Sequence, residues 1–280
     1  MRFTKLQSVG NDFVLVAPDG QLANWPGLAK AVCHRHFGVG ADGLLLLMPS
    51  RAADFKMRIF NADGSEAEAC GNGLRCLVHY LFQTGQAAGR TTLSIETFAG
   101  VRQARILEDG CIQTSMGEPR FTSADIPLAT HVPGHGASGL IHDFPLNISG
   151  RRLLVSLVSM GNPHAVHFHK STVSDFPLEQ VGPLVEGHRL FPQRINFEVA
   201  HVLDRRHIEV RVWERGAGET LGCGSGACAV AVAAQLQGFT DSDVDIMLPG
   251  GTLGVQWAGI GEVFISGQAE IVFTGEWLKQ

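Results

Sequence analysis

Two cysteines in this chain stand in the same glycine-rich setting and could move protons. Cys70 lies in Ala-Cys-Gly-Asn-Gly (69–73) and Cys223 in Gly-Cys-Gly-Ser-Gly (222–226). In each copy Gly-x-Gly follows the cysteine, and a helical pattern follows the glycines. Glycine lets the backbone turn sharply and lets a ligand approach it closely. The N–H groups at the start of a helix attract an anion, and the same field favours a thiolate over a thiol. One local motif can thus hold a carboxylate and set a base beside the neighbouring carbon. The α-carbon of an amino acid is a very weak acid. Inverting it without a cofactor needs a base on one face, an acid on the other, and donors at the carboxylate as charge builds there. Two thiols, one ionised and one protonated, meet that need and exchange roles in the reverse direction. A single Cys-Gly-x-Gly is equally a tight helix-capping turn; its duplication argues for chemistry.

The duplication extends beyond the cysteines. At their offset Arg58-Ile-Phe-Asn61 lines up with Arg211-Val-Trp-Glu214, and at nearly the same offset Ser8-Val-Gly-Asn11 lines up with Ser159-Met-Gly-Asn162. Matched points in matched order predict two homologous halves that fold alike. The expected domains are 1–118 and 119–265, with a strand at about 266–280 crossing back to the first. Glu214 and Arg215 precede Cys223, and Asn61 holds the position equivalent to Glu214. A carboxylate, a guanidinium and an amide suit a second zwitterionic end, Arg215 holding a carboxylate in bidentate fashion; read alone, Glu214-Arg215 is a surface pair. His164, after Asn162-Pro163, is either a turn histidine or a group that tunes a thiol. Cys76 and Cys228 read as small buried residues, and Cys33 and Cys111 carry no motif. The cysteine spacings do not match zinc pairs. Strand alternation sends His164 and His167 to opposite faces, so no metal is expected.

The elements that must position these residues are partly legible. Met1–Lys5, Asp12–Val16, Leu44–Met48, Asp54–Phe60, Thr91–Glu96 and Val101–Leu107 read as strands in the first half. Leu153–Met160 and His207–Trp213 read as strands in the second. Leu74, Leu77, Val78 and Leu81 have the spacing of an amphipathic helix, ending near Gly85. Ala227–Gln237 is apolar on nearly all sides, so that helix should be buried all round. Val263–Trp277 alternates like one strand. Gly117–Gly150, rich in proline and glycine, is the most irregular stretch and reads as the inter-domain connection.

Bulk properties exclude several classes. The 280 residues are 45% hydrophobic and 18% charged, with a net charge of −5 and no basic stripe, which argues against nucleic acid. No apolar run is long enough to span a bilayer. The N-terminus lacks a signal-peptide pattern. Six cysteines fall short of disulfide-scaffold density. A cytoplasmic protein with reduced thiols is the expectation.

Several segments resemble the diaminopimelate epimerase family. They are Gly10-Asn-Asp-Phe13, Phe37-Gly-Val-Gly-Ala-Asp42, Phe60-Asn-Ala-Asp-Gly-Ser-Glu66, Cys70-Gly-Asn-Gly73, Gly161-Asn-Pro-His164 and Glu214-Arg-Gly-Ala-Gly-Glu-Thr220 with Cys223-Gly-Ser-Gly-Ala227. The resemblance implies a cofactor-independent isomerase interconverting LL- and meso-diaminopimelate in lysine and peptidoglycan biosynthesis. It implies an α/β (α+β) fold of two pseudo-symmetric domains, each a mostly antiparallel curled sheet around a central helix, and a homodimer. By the same likeness Cys70 and Cys223 are the two acid/bases, and Gly71, Asn72, Gly224 and Ser225 hold the carboxylate at the reacting carbon. Asn11, Asn61, Asn162, Asn196, Glu214 and Arg215 hold the rest of the substrate, and His164 and Glu214 influence the cysteines. Gly43 stands where some members carry a substrate-contacting glutamine, so that contact is not assigned. The alternatives are a sister racemase of the proline or histidine type, and a phenazine-biosynthesis-like isomerase that lacks the two-thiol pair. From another class comes a non-catalytic amino-acid-binding protein, which has no need of two thiols.

Overall fold

The structure, a computed structural model, describes residues 1–18, 24–67, 70–87, 89–129 and 141–278. The chain divides into two compact units, Met1–Ser115 with Ser266–Gln280, and Met116–Ile265.

In the first unit β1 (Arg2–Ser8) and β2 (Asn11–Val16) form a hairpin in which Ser8 pairs with Asn11. Both turn residues are left-handed, Val9 at φ 46 and Gly10 at φ 79, the backbone that matches the twist of a two-residue hairpin. Val9 is β-branched and strained there, which marks this turn as one the surrounding structure enforces. Next come α1 (Trp25–Cys33), then β3 (Gly43–Met48) parallel to β2 and β4 (Phe55–Asn61) antiparallel to β3. A short β5 (Glu66–Ala67) pairs with β4 and leads into α2 (Gly71–Gln83). The crossover through α2 returns the chain as β6 (Thr92–Thr97), parallel to β4, as a parallel connection requires. β7 (Gly100–Ile106) and β8 (Ile112–Gly117) continue antiparallel. Leu74, Leu77, Val78 and Leu81 of α2 are buried against Leu6, Phe13, Leu45 and Ile59 of the sheet. The other sheet face carries Val14, Leu44 and Leu46 under Ala29 and Val32 of α1. A strand buried on both faces needs apolar residues at every position, which is why β3 reads Leu-Leu-Leu-Leu.

The second unit repeats the plan. β9 (Ile141–Ile148) pairs with β10 (Arg151–Ser159), which forms a hairpin with β11 (Pro163–Phe168). After α3 (Leu178–Glu186), β12 (Asn196–Val202) runs parallel to β11 and β13 (His207–Glu214) antiparallel to β12. A short β14 (Gly218–Thr220) precedes α4 (Gly224–Leu236), after which β15 (Asp243–Leu248) lies parallel to β13. β16 (Gly251–Gln256) pairs with β15, and β17 (Val263–Gly267) follows. Helix α4 is buried from Gly226 to Ala234, as its all-round apolar surface predicts. The last strand, β18 (Glu270–Glu276), belongs to the first unit and pairs antiparallel with β1. It fills beside β1 the place that β9 fills beside β10. The result is a mixed α/β fold whose sheets are mostly antiparallel. No helix among the described residues is long and apolar enough to cross a membrane.

Three sequence readings need correction. Within the irregular stretch, residues 141–148 form strand β9; Pro145 is tolerated because, among the described residues, β9 pairs along one edge, with β10, and residues 130–140 lie outside the described residues. The tail is two strands, broken at 268–269. Helices α1 and α3 are absent from the sequence reading. They are short, and α1 is announced only by Asn24, whose side chain accepts from the Gly27 N–H at 2.9 Å, and by Pro26 in its first turn.

Candidate active site

Each unit presents a cysteine as the N-cap of its central helix. In the first, Cys70 has extended backbone (φ −148, ψ 113), and its Sγ accepts from the Gly73 N–H at 3.4 Å. The capping role of a Cys-Gly-x-Gly turn is therefore real here, and it leaves the Gly71 and Asn72 N–H groups at the helix end. A Cβ on Gly73 would stand 3.1 Å from Leu45 Cδ2, so glycine is what lets the helix start lie on the sheet. Asn11, the first residue of β2, places Oδ1 3.8 Å from Cys70 Sγ and accepts from Asn72 Nδ2 at 3.2 Å. Its own Nδ2 donates to Asp42 Oδ2 at 2.7 Å. Asp42 accepts only, so it sets which end of the Asn11 amide faces the thiol. Behind Asn11, Asp12 meets Lys5 at 2.5 Å and Arg35 at 2.9 Å, and Arg35 also binds Asp42 at 2.6 Å. Burial pushes the Asp12 carboxyl up, but hydrogen bonds from Arg35 and Lys5 and the Lys5 charge together outweigh it and hold it down at about 2. The fully buried Arg75 donates to Asn72 Oδ1 and, at 3.1 Å, to Ser8 Oγ. Asn61 stands apart from this group, exposed at the end of β4 with Nδ2 on Ser65 Oγ at 2.9 Å. Gly43 has a packing reason: a Cβ there would lie 3.0 Å from the Phe60 carbonyl oxygen.

In the second unit Cys223 caps α4 with extended backbone (φ −114, ψ 111) and lies 3.5 Å from Ser225 Oγ. Ser225 accepts from Asn162 Nδ2 at 3.3 Å. Asn162 Oδ1 is 3.0 Å from His164 Nε2, and His164 Nδ1 is 2.6 Å from Glu198 Oε1. His164 is therefore not a turn residue. It lies in β11, paired with Asn196 of the parallel β12, and both its side chain and that of Glu198 are 0% exposed. Alternation along β12 brings Glu198 to the face that Asn196 occupies. Asn196 donates to the Pro163 carbonyl at 3.0 Å and accepts from the Arg215 N–H at 2.9 Å, tying both segments together. Glu186 accepts from the Gly216 N–H at 2.9 Å and Trp213 Nε1 at 2.8 Å, fixing the loop that carries Arg215. Glu214 Oε1 accepts from Thr220 Oγ1 at 2.5 Å. The Arg215 side chain is exposed, and its Nη1 donates to the Gln193 carbonyl at 3.2 Å.

The helix field favours the thiolate at Cys223, and burial opposes it. Burial pushes the thiol well above its usual value, and the charge of Glu214 adds to the rise; the Ser225 hydrogen bond pulls it down, against a further rise from Glu198. Desolvation acts on the whole thiolate, whereas the helix end supplies only a fraction of an elementary charge.

The structure thus gathers Asn11, Asn72 and Cys70 in one hydrogen-bonded group, and Asn162, His164, Ser225 and Cys223 in another. Sequence reasoning missed Asp42, Arg75 and Glu198. A usable signal was present for the last two: Glu198 interrupts the apolar alternation of Phe197, Val199 and Ala200, and Arg75 sits among Leu74, Cys76 and Leu77. Among the described residues no three His, Cys, Asp or Glu side chains are grouped to hold a metal.

Comparison with known proteins adds identity to this geometry. A family profile described as diaminopimelate epimerase matches residues 3–122 and 156–272. A diaminopimelate epimerase from Desulforudis audaxviator is 47% identical over the whole of both chains. One from Desulfovibrio desulfuricans is 44% identical, covering 99% of this chain and 98% of its own. Among solved structures, a phenazine biosynthesis protein of the PhzF family from Bacillus anthracis superposes with a TM-score of 0.72, covering 100% of this chain and 99% of its own. At 16% identity that likeness shows the fold.

Proposed function

The chain belongs to the diaminopimelate epimerase family, and from that premise we propose that it interconverts LL- and meso-diaminopimelate with Cys70 and Cys223 as its two acid/bases. One thiolate takes the α-proton as an S–H bond forms and the C–H bond breaks. The electron pair moves into the substrate carboxylate, which becomes an enediolate. The other thiol gives its proton to the opposite face of the carbon, so the two cysteines end with protonation states exchanged. The carboxylate at the reacting carbon is held by the first-turn N–H groups of Gly71 and Asn72 and of Gly224 and Ser225, where negative charge is stabilised as it develops. Asn11, Asn61, Asn162, Asn196 and Glu214 bind the remaining polar groups. Arg215, with its exposed guanidinium, takes the distal carboxylate. The reaction uses no cofactor, and the setting is the cytoplasm, in lysine and peptidoglycan synthesis, with the enzyme as a homodimer.

The observation that carries this reading is the duplicated one. Both central helices begin at a cysteine; Cys70 Sγ meets Asn11 of the preceding hairpin directly, and Cys223 Sγ meets Ser225, which is tied to Asn162 of its own preceding hairpin. A binding protein needs the helix starts and has no use for two such thiols. Epimerisation by Cys70→Ala and by Cys223→Ala, assayed separately, tests it. Each variant is expected to lose turnover by about 10³-fold or more, since each removes a proton-transfer group. Near-normal epimerisation in either one sinks the two-base step.

A further inference from the structure

The chain from Glu198 to Cys223 has a direction, and it follows from donor and acceptor chemistry. Asn162 turns its carbonyl oxygen to His164 and its amide nitrogen to Ser225. A carbonyl only accepts, so His164 meets it through Nε2–H. At 2.6 Å, His164 Nδ1 and Glu198 Oε1 then share one proton, whichever of the two carries it. Ser225 Oγ accepts from Asn162 and lies 3.5 Å from Cys223 Sγ, so its own proton can turn onto the sulfur, the arrangement that favours the thiolate. Every donor in the chain is aimed at the sulfur.

Glu198 is built in for this place. Its side chain is 0% exposed, its first oxygen meets His164, and its second has no hydrogen-bond partner among the described residues. A Cβ on Gly226 would lie 2.9 Å from Glu198 Oε1; the second glycine of the Cys-Gly-Ser-Gly motif is what admits the acid beneath the helix start. A buried acid left this exposed to low dielectric costs stability. Retaining it calls for a role that a packed apolar residue lacks.

We propose that Glu198 is a positioning residue of the proton-transfer site: by fixing the Nε2–H form of His164 it orients Asn162 and turns the Ser225 hydroxyl proton onto Cys223 Sγ. The proposal rests on the reading of Cys223 as an acid/base and adds a group that does not touch the reacting atoms. The carboxylates that act on this thiol are Glu214 on β13 and Glu198 on β12, His164 on β11 reaches it only through Asn162 and Ser225, and the first turn of α4 carries no acid. Burial and the two carboxylates favour the thiol form, and the Ser225 proton opposes them.

The test is the pH dependence of Cys223 alkylation by iodoacetamide without substrate, followed by peptide mass mapping, together with kcat and KM across pH. In Glu198→Leu the alkylation midpoint is expected to rise by about one unit, a tenfold smaller thiolate fraction at a given pH. kcat should fall while KM stays close to wild type. Glu198→Gln is expected not to raise the midpoint, because its amide N–H can donate to His164 Nδ1 and keep the same tautomer while the nearby charge is removed. Ser225→Ala should raise the midpoint as Glu198→Leu does, and the double variant should rise no further, since both break one chain. If Glu198→Leu does not fold, Glu198→Asp decides: one methylene short of His164, it keeps its charge and should move the midpoint the same way by less. An unchanged or lowered midpoint in Glu198→Leu, or in Glu198→Asp in its place, overturns the proposal. Lowering is what loss of a nearby negative charge alone would do. Alkylation needs no turnover, so this result stands apart from the Cys223→Ala assay on which the acid/base reading depends.

Discussion

At Cys223 two opposing influences meet, and their sizes decide the outcome. A helix start and a serine hydroxyl favour the thiolate; full burial beside Glu198 and Glu214 favours the thiol and prevails. Arg215 poses the complementary question of binding. Its backbone is held by Asn196 while its guanidinium is exposed, so Arg215→Met should raise KM for diaminopimelate by about 100-fold, roughly the worth of a charged hydrogen-bonded pair at 2–3 kcal/mol. The unfolding midpoint should barely move. Steady-state kinetics and thermal denaturation on the same variant check both halves, and an unchanged KM removes Arg215 from the site. The cysteine motifs were legible because the same Cys-Gly-x-Gly opens both central helices. Asp42 was not, because its effect on Cys70 passes through the orientation of the Asn11 amide, and a one-dimensional pattern does not record which end of an amide faces a thiol.

Among the elements, the β1–β2 hairpin shows how a scaffold holds an asparagine. Its strained Val9–Gly10 turn fixes where Asn11 begins, and Lys5, Arg35 and Asp42 clamp the following Asp12. The folded Asp12 carboxyl titrates at about 2, against about 3.9 in an unfolded chain. A carboxylate depressed in the native state contributes stability above its unfolded value, and that contribution disappears as pH falls from about 4 towards 2. The wild type is expected to lose about 2 kcal/mol over that window from this group, allowing for partial exposure. Asp12→Asn, less stable at neutral pH because Lys5 loses its partner, should lack that acid-limb loss. Urea unfolding at pH 7, 4 and 3 measures it, and parallel acid limbs in the two proteins contradict the assignment. The strands and central helices were readable because burial imposes periods of two and of 3.6 residues. Helices α1 and α3 escaped because each has only nine residues, too few for a period to stand out, and β9 escaped because Pro145 reads as a breaker until its partner is seen.

On the scale of the whole chain, the repeat in the sequence becomes a repeat in topology, hairpin by hairpin and crossover by crossover. The first unit, however, takes its last strand from the C-terminus. Deleting residues 268–280 removes the partner along one edge of β1 and uncovers the buried Leu6 and Phe3. The expected result is loss of cooperative unfolding in the first unit while the second keeps its own transition, seen as separated steps in calorimetry and as early proteolytic cuts within 1–115. A single unshifted transition would show that β18 adds little.

The proposed chemistry is tested most directly by solvent exchange. The purified protein is incubated with LL-diaminopimelate in D2O, and in parallel with L-proline and L-histidine. NMR follows loss of the α-proton, and chiral chromatography follows the new isomer. The account predicts deuterium entering the α-position of diaminopimelate as the meso form accumulates, with no change in the other two amino acids. Reduced, folded protein that leaves the α-proton of diaminopimelate in place would contradict it.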